Sequence, residues 1–328
     1  MFRTQRKLNK PAIPFNQCLE YLLRPGMKWV ITGKPRPSSE KFSVNFKAGP
    51  ADGDDIALHL NPRFQTRTVV RNARTNGAWR KDFEESTPFF PFEKYKSFRI
   101  EITCLADKFK IDVNGDHFAN YKHRYDLHQI THLNIDGQVD IDTVEFLYTG
   151  TDPNIQEPSV TYHNPTSMFT MKLDRHLKRG TEVIVRGMGR DKFGMNFHCG
   201  PSATDDYAFR FSPEFNAQRV VRNSMIRKVW NPHAEVITSF FPFRQRESFT
   251  IRCICDNGKF VVYVNDVHFC DFGYKVPLYR ISFLELDGAI NIDNVTVVWE
   301  PMDDEKNPMP QQESKMAVVL IAADQWCC

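Results

Sequence analysis

The sequence predicts an all-β protein made of two β-sandwich domains in tandem, and three observations carry that prediction. Apolar and polar side chains alternate at period two in segment after segment. Aromatic residues reach 13% of the 328 residues (27 Phe, 10 Tyr, 5 Trp), while glycine is low at 16. The first half of the chain also returns, 151 residues later, in the second. Alternation buries one face of a strand, and aromatic enrichment suits strands packed in sheets. With 41% hydrophobic and 25% charged residues, wholesale disorder is excluded. A net charge of +3 is too small for a polyelectrolyte-binding surface, so nucleic acid is not an expected partner.

Residues 1–15 are basic and hold no apolar core of the roughly 7–15 residues that a secretory leader needs, so none is expected. No apolar run nears the ~20 residues of a membrane span; the longest is 317–323. The first domain is placed at 14–149. Within it Ile100–Cys104 and Phe109–Val113 alternate strictly, and Asn76-Gly77, Asn114-Gly115 and Asp136-Gly137 are tight-turn signals. The repeat carries Val69-Val70-Arg71-Asn72 to Val220-Val221-Arg222-Asn223, and Trp79 to Trp230. It also carries Phe90-Pro91-Phe92 to Phe241-Pro242-Phe243, and Asp136-Gly137 to Asp287-Gly288. An ungapped offset of this length marks a duplicated domain rather than a solenoid unit. Residues 150–165 are polar and proline-bearing and read as a linker. The second domain is placed at 166–300, and 301–328 has the composition of a disordered tail.

Eight cysteines show neither a CxxC pair nor histidines at zinc spacing. They are expected to be free, mostly buried thiols of a chain made in the cytosol. The terminal Cys327-Cys328 imitates a prenylation end but lacks a polybasic second signal. No metal site and no cofactor are expected, and the acidic run Asp52-Gly53-Asp54-Asp55 reads as a solvated loop.

One polar set does not fit a core. His59, Asn61 and Arg63 alternate with Leu58 and Leu60, so an imidazole, an amide and a guanidinium share one strand face. Asn72 on the next strand and Trp79 beyond the Asn76-Gly77 turn can converge on that face. A lone strand histidine is ordinarily structural and a lone tryptophan ordinarily core; the ordered set carries the argument. A flat indole beside fixed hydrogen-bonding groups suits a hexose, whose C–H face stacks while its hydroxyls are paired. Selectivity follows because a buried polar group left unpaired costs about 1–3 kcal/mol.

His59-x-Asn61-Pro62-Arg63, then Asn72, Trp79 and Phe90-Pro91-Phe92, resembles the galectin signature, and the whole chain resembles a tandem-repeat galectin. The resemblance implies two galectin-like jelly-roll sandwiches joined by a short linker, binding β-galactosides without calcium. It implies that His59, Asn61 and Arg63 bond the axial O4 of galactose, with Arg63 also reaching the ring oxygen. Asn72 would bond O6, and Trp79 would stack on the sugar. The family pattern continues Trp-x-x-Glu-x-Arg, whereas this chain reads Trp79-Arg80-Lys81-Asp82-Phe83-Glu84. Asp82 and Glu84 therefore both remain candidates for the site carboxylate, and the missing arginine weakens contacts to a second sugar.

In the second domain His59 becomes Arg210, Asn61 becomes Ser212 and Arg63 becomes Glu214, while Asn223 and Trp230 persist. Arg210, Asn223 and Trp230 are the candidate ligand residues there, with altered or lost sugar specificity. A glycosidase would need two carboxylates flanking the sugar, which the His59 face lacks, so a lectin rather than an enzyme is expected. Its partners would be lactose- or N-acetyllactosamine-type glycans on glycoproteins or glycolipids, bridged by a functionally bivalent monomer in adhesion or innate immunity. The expected location is cytoplasmic, with signal-peptide-independent export as the route outward. The rival reading is a galectin-fold interaction scaffold with little glycan dependence.

Overall fold

The computed structural model describes residues 3–87, 89–148, 158–166 and 168–299. In the first half the strands are, in chain order, β1 (Arg3–Asn9), β2 (Phe15–Cys18), β3 (Met27–Pro35), β4 (Phe42–Lys47), β5 (Ile56–Arg63), β6 (Thr68–Thr75), β7 (Ala78–Trp79), β8 (Glu85–Thr87), β9 (Phe98–Cys104), β10 (Lys108–Val113), β11 (Asp116–Lys122), β12 (His132–Gly137) and β13 (Val139–Tyr148). One sheet is ordered β1-β13-β3-β9-β10-β11 and the other β2-β12-β4-β5-β6-β7, with β8 on β6. The Asn76-Gly77 and Asn114-Gly115 turns adopt positive φ at both residues and close β6–β7 and β10–β11. At Gly137 (φ +103°) the chain leaves one sheet for the other. A Cβ there would lie 2.8 Å from the Lys41 carbonyl oxygen, so only glycine fits.

The second half continues with β14 (Ser159–His163), β15 (Phe169–Lys172), β16 (Glu182–His198), β17 (Tyr207–Glu214), β18 (Arg219–Ile226), β19 (Val229–Trp230), β20 (Glu235–Ile237), β21 (Ser248–Asp256), β22 (Lys259–Val264), β23 (Val267–Gly273) and β24 (Phe283–Val298). Here β16 and β24 run unbroken through both layers, where the first domain uses β3 then β4 and β12 then β13. A register shift between Gly189 and Phe193 lets the long pair bend from one layer into the other. Short 3-10 turns supply the helical content.

Buried phenylalanines fill the space between the sheets in both domains. Phe42 stacks on Phe98 at 5.3 Å, and their repeats Phe193 and Phe249 stack at 5.3 Å. Phe92 and Phe243 meet those pairs edge-on, geometry that adds about 0.5–1.5 kcal/mol per pair beyond burial. Cys253 and Cys255 share one buried face, and burial pushes the Cys255 thiol up to about 12; all six described cysteines are free.

Sheet pairing extends past two of the sequence-drawn boundaries. The strand β1 lies before residue 14 and pairs with β13; β14 lies inside the 150–165 segment and pairs with β24. Backbone hydrogen bonding along a sheet edge reaches further than the repeat does. The 301–328 tail lies outside the described residues.

Candidate functional site

Four strands of the first domain set one lateral row of side chains. Cross-strand pairing aligns Asn134 (β12) with Asn45 (β4), Asn45 with His59 (β5), and His59 with Asn72 (β6). The row is wired in one direction. Asn134 Nδ2 donates to the Phe15 carbonyl at 3.1 Å, and Asn45 Nδ2 donates to Asn134 Oδ1 at 2.7 Å. Asn45 Oδ1 must then accept from His59 Nδ1, at 2.6 Å. That fixes the tautomer and leaves His59 Nε2 as an acceptor. Burial, reinforced by the Arg63 guanidinium, lowers the His59 pKa to about 4, so the ring is neutral near pH 7.

Asn61 is buried, donating to the Phe42 carbonyl at 2.6 Å and accepting from Arg63 Nε at 2.8 Å. It thus aims Arg63, whose terminal nitrogens remain at the surface. Trp79 is 48% exposed, with its ring 4.8 Å from that of His59 and the Arg74 guanidinium 5.6 Å away on the ring. Arg74 is held in turn by the carbonyls of Asp52 and Asp54. Asp55 accepts from the backbone of Asn76 and Gly77, fixing the turn that presents Trp79. The acidic run is therefore a brace under the indole rather than only a solvated loop.

The two carboxylate candidates separate. Lys81–Phe83 forms a 3-10 turn in which Phe83 tucks under Arg124 and packs against the core. Asp82 is thrown outward onto Arg80, whose hydrogen bond holds its carboxyl below the usual range. Glu84, just past the turn, accepts from Asn72 Nδ2 at 3.2 Å. Asp82 thus lies apart from the row and Glu84 joins it. Beyond it Ser86 stands on β8, without a guanidinium.

The second domain repeats the row as Glu285, Asn196, Arg210 and Asn223. Its groups are spent on one another. Arg210 donates to both Asp287 oxygens, at 2.9 and 3.3 Å, and to Asn196 Oδ1 at 3.1 Å. Asn196 donates to Glu285 and Asp287, and His198 Nε2 lies 3.0 Å from Glu285, whose carboxyl that bond draws below the usual range. Ser212 takes over the bond to a strand carbonyl that Asn61 makes in the first domain, here to Phe193. Glu214 is clamped between Lys192 and Arg219. Asn223 donates to the Asn231 carbonyl instead of a carboxylate. Trp230, 41% exposed, leans on Tyr207 at 5.1 Å.

The family model for galactoside-binding lectins matches residues 14–146 and 168–297. The chain is 31% identical over 311 residues to galectin-8 of Rattus norvegicus, covering 89% of this chain and 97% of that one. It is 29% identical over 296 residues to galectin-6 of Mus musculus, covering 88% and 95%. A 32 kDa beta-galactoside-binding lectin of Caenorhabditis elegans is 27% identical over 288 residues, covering 87% and 96%. The chain belongs to the galactoside-binding lectin family. It is a tandem-repeat galectin in organisation, a carbohydrate-binding protein and not an enzyme. Among the described residues no helix is long and apolar enough to cross a membrane.

In this galectin the first domain brings His59, Asn61, Arg63, Asn72, Trp79 and Glu84 to one face. Sequence reasoning missed Asn45 and Asn134, which orient the His59 ring, and Arg74, which backs Trp79. The alternation Ser43-Val44-Asn45-Phe46 on the strand before His59 was the available signal.

Proposed function

We propose that the first domain binds the galactose unit of β-galactoside glycans, and that the second has lost or changed that specificity. The observation that carries this is the neutral row ending in an uncommitted His59 Nε2 beside Arg63 and Trp79. A hydroxyl there donates to Nε2 and accepts from Arg63, while the sugar's C–H face lies on the indole. Such a single site is weak, with a Kd of about 10 µM to 1 mM. Asn72 and Glu84 face the exocyclic hydroxyl, and the absence of a guanidinium at Ser86 leaves the second sugar loosely held. The internally paired second row offers Trp230 as a stacking surface but no neutral donor–acceptor pair. Two unequal faces on one chain suit a bivalent monomer that bridges different glycoconjugates, in adhesion or microbial recognition.

The test is retention of the full chain on immobilised lactose. Wild type and Trp230→Ala are expected to be retained and eluted by free lactose, and Trp79→Ala to pass through. Retention of Trp79→Ala with loss of Trp230→Ala would reverse the assignment. Indifference of all three chains to lactose would favour the scaffold reading.

A further inference from the structure

The two domains meet across a seam with the pattern of a two-fold axis. Tyr21 and Arg175 form an antiparallel bridge. Leu22 N donates to the Asp174 carbonyl and His176 N to the Glu20 carbonyl, both at 3.2 Å. These are equivalent positions of the duplication, Leu23-Arg24-Pro25-Gly26 returning as Leu177-Lys178-Arg179-Gly180 at an offset of 154. The same symmetry recurs at a second contact. His128 lies 5.9 Å from Phe283 and His132 lies 5.0 Å from Tyr279, ring to ring, and each pair is the other's repeat. Leu22 of the first domain is 1% exposed and packs into the second domain's core cluster. Arg24 pairs with Asp174 at 3.0 Å, and Arg175 lies over the Tyr21 and Trp299 rings.

Two buried histidines, His132 and His176, and the half-buried His128 lie in this contact, and among the described residues none has a carboxylate hydrogen-bond partner that would favour the charged form. His176 has Nδ1 on the Tyr279 carbonyl at 2.7 Å, and its Nε2 is buried without a partner. His132 has Nδ1 on the Thr131 hydroxyl at 2.7 Å. His128 Nε2 is buried without a partner against Gly200 of the second domain. We propose that this seam is an acid-released latch: near neutral pH it docks the two sugar-recognition domains in one fixed arrangement, and protonation of His132 and His176, seconded by His128, frees them.

The charged surroundings decide the direction. His176 faces His132 and Lys172, and His132 faces Lys47, all cations or potential cations. His128 faces Lys172 as well as Asp126 and Asp205. The acids nearest the bridge are Glu20, which adds to the effect of burial in raising the Tyr21 hydroxyl, and Asp174, which is paired with Arg24. Burial lowers His176 to about 3 and His132 to about 4. A group whose docked pKa is depressed favours docking above its free value, near 6.5, and loses that contribution as pH falls toward the docked value. At pH 5 each of the two histidines therefore shifts the docked-to-open ratio by about thirtyfold, and both together by about 10³. Opening converts a fixed pair of faces into a tethered pair with a wide range of spacings, which changes the surfaces that both can engage at once.

The experiment is small-angle scattering on the full chain from pH 7.5 to 4.5, with circular dichroism at each point. The expected result is a reversible rise in radius of gyration with a midpoint between pH 5 and 6 and no loss of sheet signal. In His132→Gln/His176→Gln the midpoint is expected to fall by at least one pH unit. Arg24→Glu, which sets like charges against Asp174, is expected to be expanded already at pH 7.5 and to expand no further in acid. It decides the case if the double variant fails to dock. An unchanged radius down to pH 4.5, an unshifted midpoint in a docked double variant, or a full acid expansion of an already open Arg24→Glu chain would each overturn the proposal.

Discussion

The rows Asn134-Asn45-His59-Asn72 and Glu285-Asn196-Arg210-Asn223 occupy the same strands of the same fold and differ in what they leave unspent. The first is uncharged along its length, and Asn134, Asn45 and His59 pass a hydrogen bond from one to the next until one acceptor, His59 Nε2, is left over. The second contains one carboxylate and a guanidinium, with Asp287 and His198 beside them, and these groups bond to one another at 2.9–3.3 Å. A group committed to charge-assisted bonds has less capacity left for a neutral hydroxyl, which competes with stronger partners for its aim. Duplication thus kept the indole and the scaffold in both halves, while the chemistry that reads a sugar depends on leaving hydrogen-bonding capacity open.

The largest effect expected from breaking this contrast is at Arg63 and Trp79. Arg63→Ala removes the donors that the proposed site would offer a sugar and strips Asn61 Oδ1, in a buried side chain, of its partner. Titration calorimetry with lactose should show at least a 100-fold loss for either Arg63→Ala or Trp79→Ala, and a change within twofold for Trp230→Ala. Equal losses from the two tryptophans would erase the distinction between the faces.

The next effect lies in stability. Arg210→Ala leaves Asp287 and Asn196 without their shared donor, a cost of about 1–3 kcal/mol. The second domain's thermal transition should fall accordingly while lactose affinity stays put. A gain of lactose binding in Arg210→Ala would mean that the ion pair, rather than missing contacts, closes the second face.

Much of this was legible in the sequence, for physical reasons that also set the limit. Period-two alternation and a gapless 151-residue offset report local strand geometry and duplication, so the sandwich layers and the His59, Asn61, Arg63 face could be read directly. Asn45 could not, because it reaches His59 only through the pairing of β4 with β5. The seam was hidden for the same reason, and its Tyr21–Arg175 bridge for a second one: the equivalent residues there lie 154 apart, outside the offset that reveals the repeat. The choice between Asp82 and Glu84 turned on a single 3-10 turn, whose sense of rotation spacing alone does not give.

That turn supplies a smaller, sharper test. Glu84→Gln weakens the charge-assisted bond that orients Asn72 and should cost about tenfold in lactose affinity, near 1.4 kcal/mol. Asp82→Asn, which alters the exposed pairing with Arg80, should change affinity by less than twofold. A reversal of these two results would place the carboxylate at Asp82 and require the 81–83 turn to rearrange on binding.

The smallest expected effect is the response of lactose affinity to mild acid. His59 titrates at about 4 because burial and the Arg63 charge oppose its protonation. Nε2 is thus an acceptor throughout the neutral range, and only protonation removes it. A hydroxyl bonded to Nε2 lowers that pKa further in the complex, so affinity is constant well above 4 and falls about tenfold per unit below it. Between pH 7.5 and 5.5 the Kd for lactose should move by less than twofold, measured by calorimetry on the full chain. A midpoint near 6.5 would show an imidazole open to water and would undo the tautomer derived from the asparagine row. Because the seam histidines begin to act below 6.5, a flat monovalent affinity across the same interval separates the sugar face from the latch: the site keeps its chemistry while the arrangement of the two faces changes.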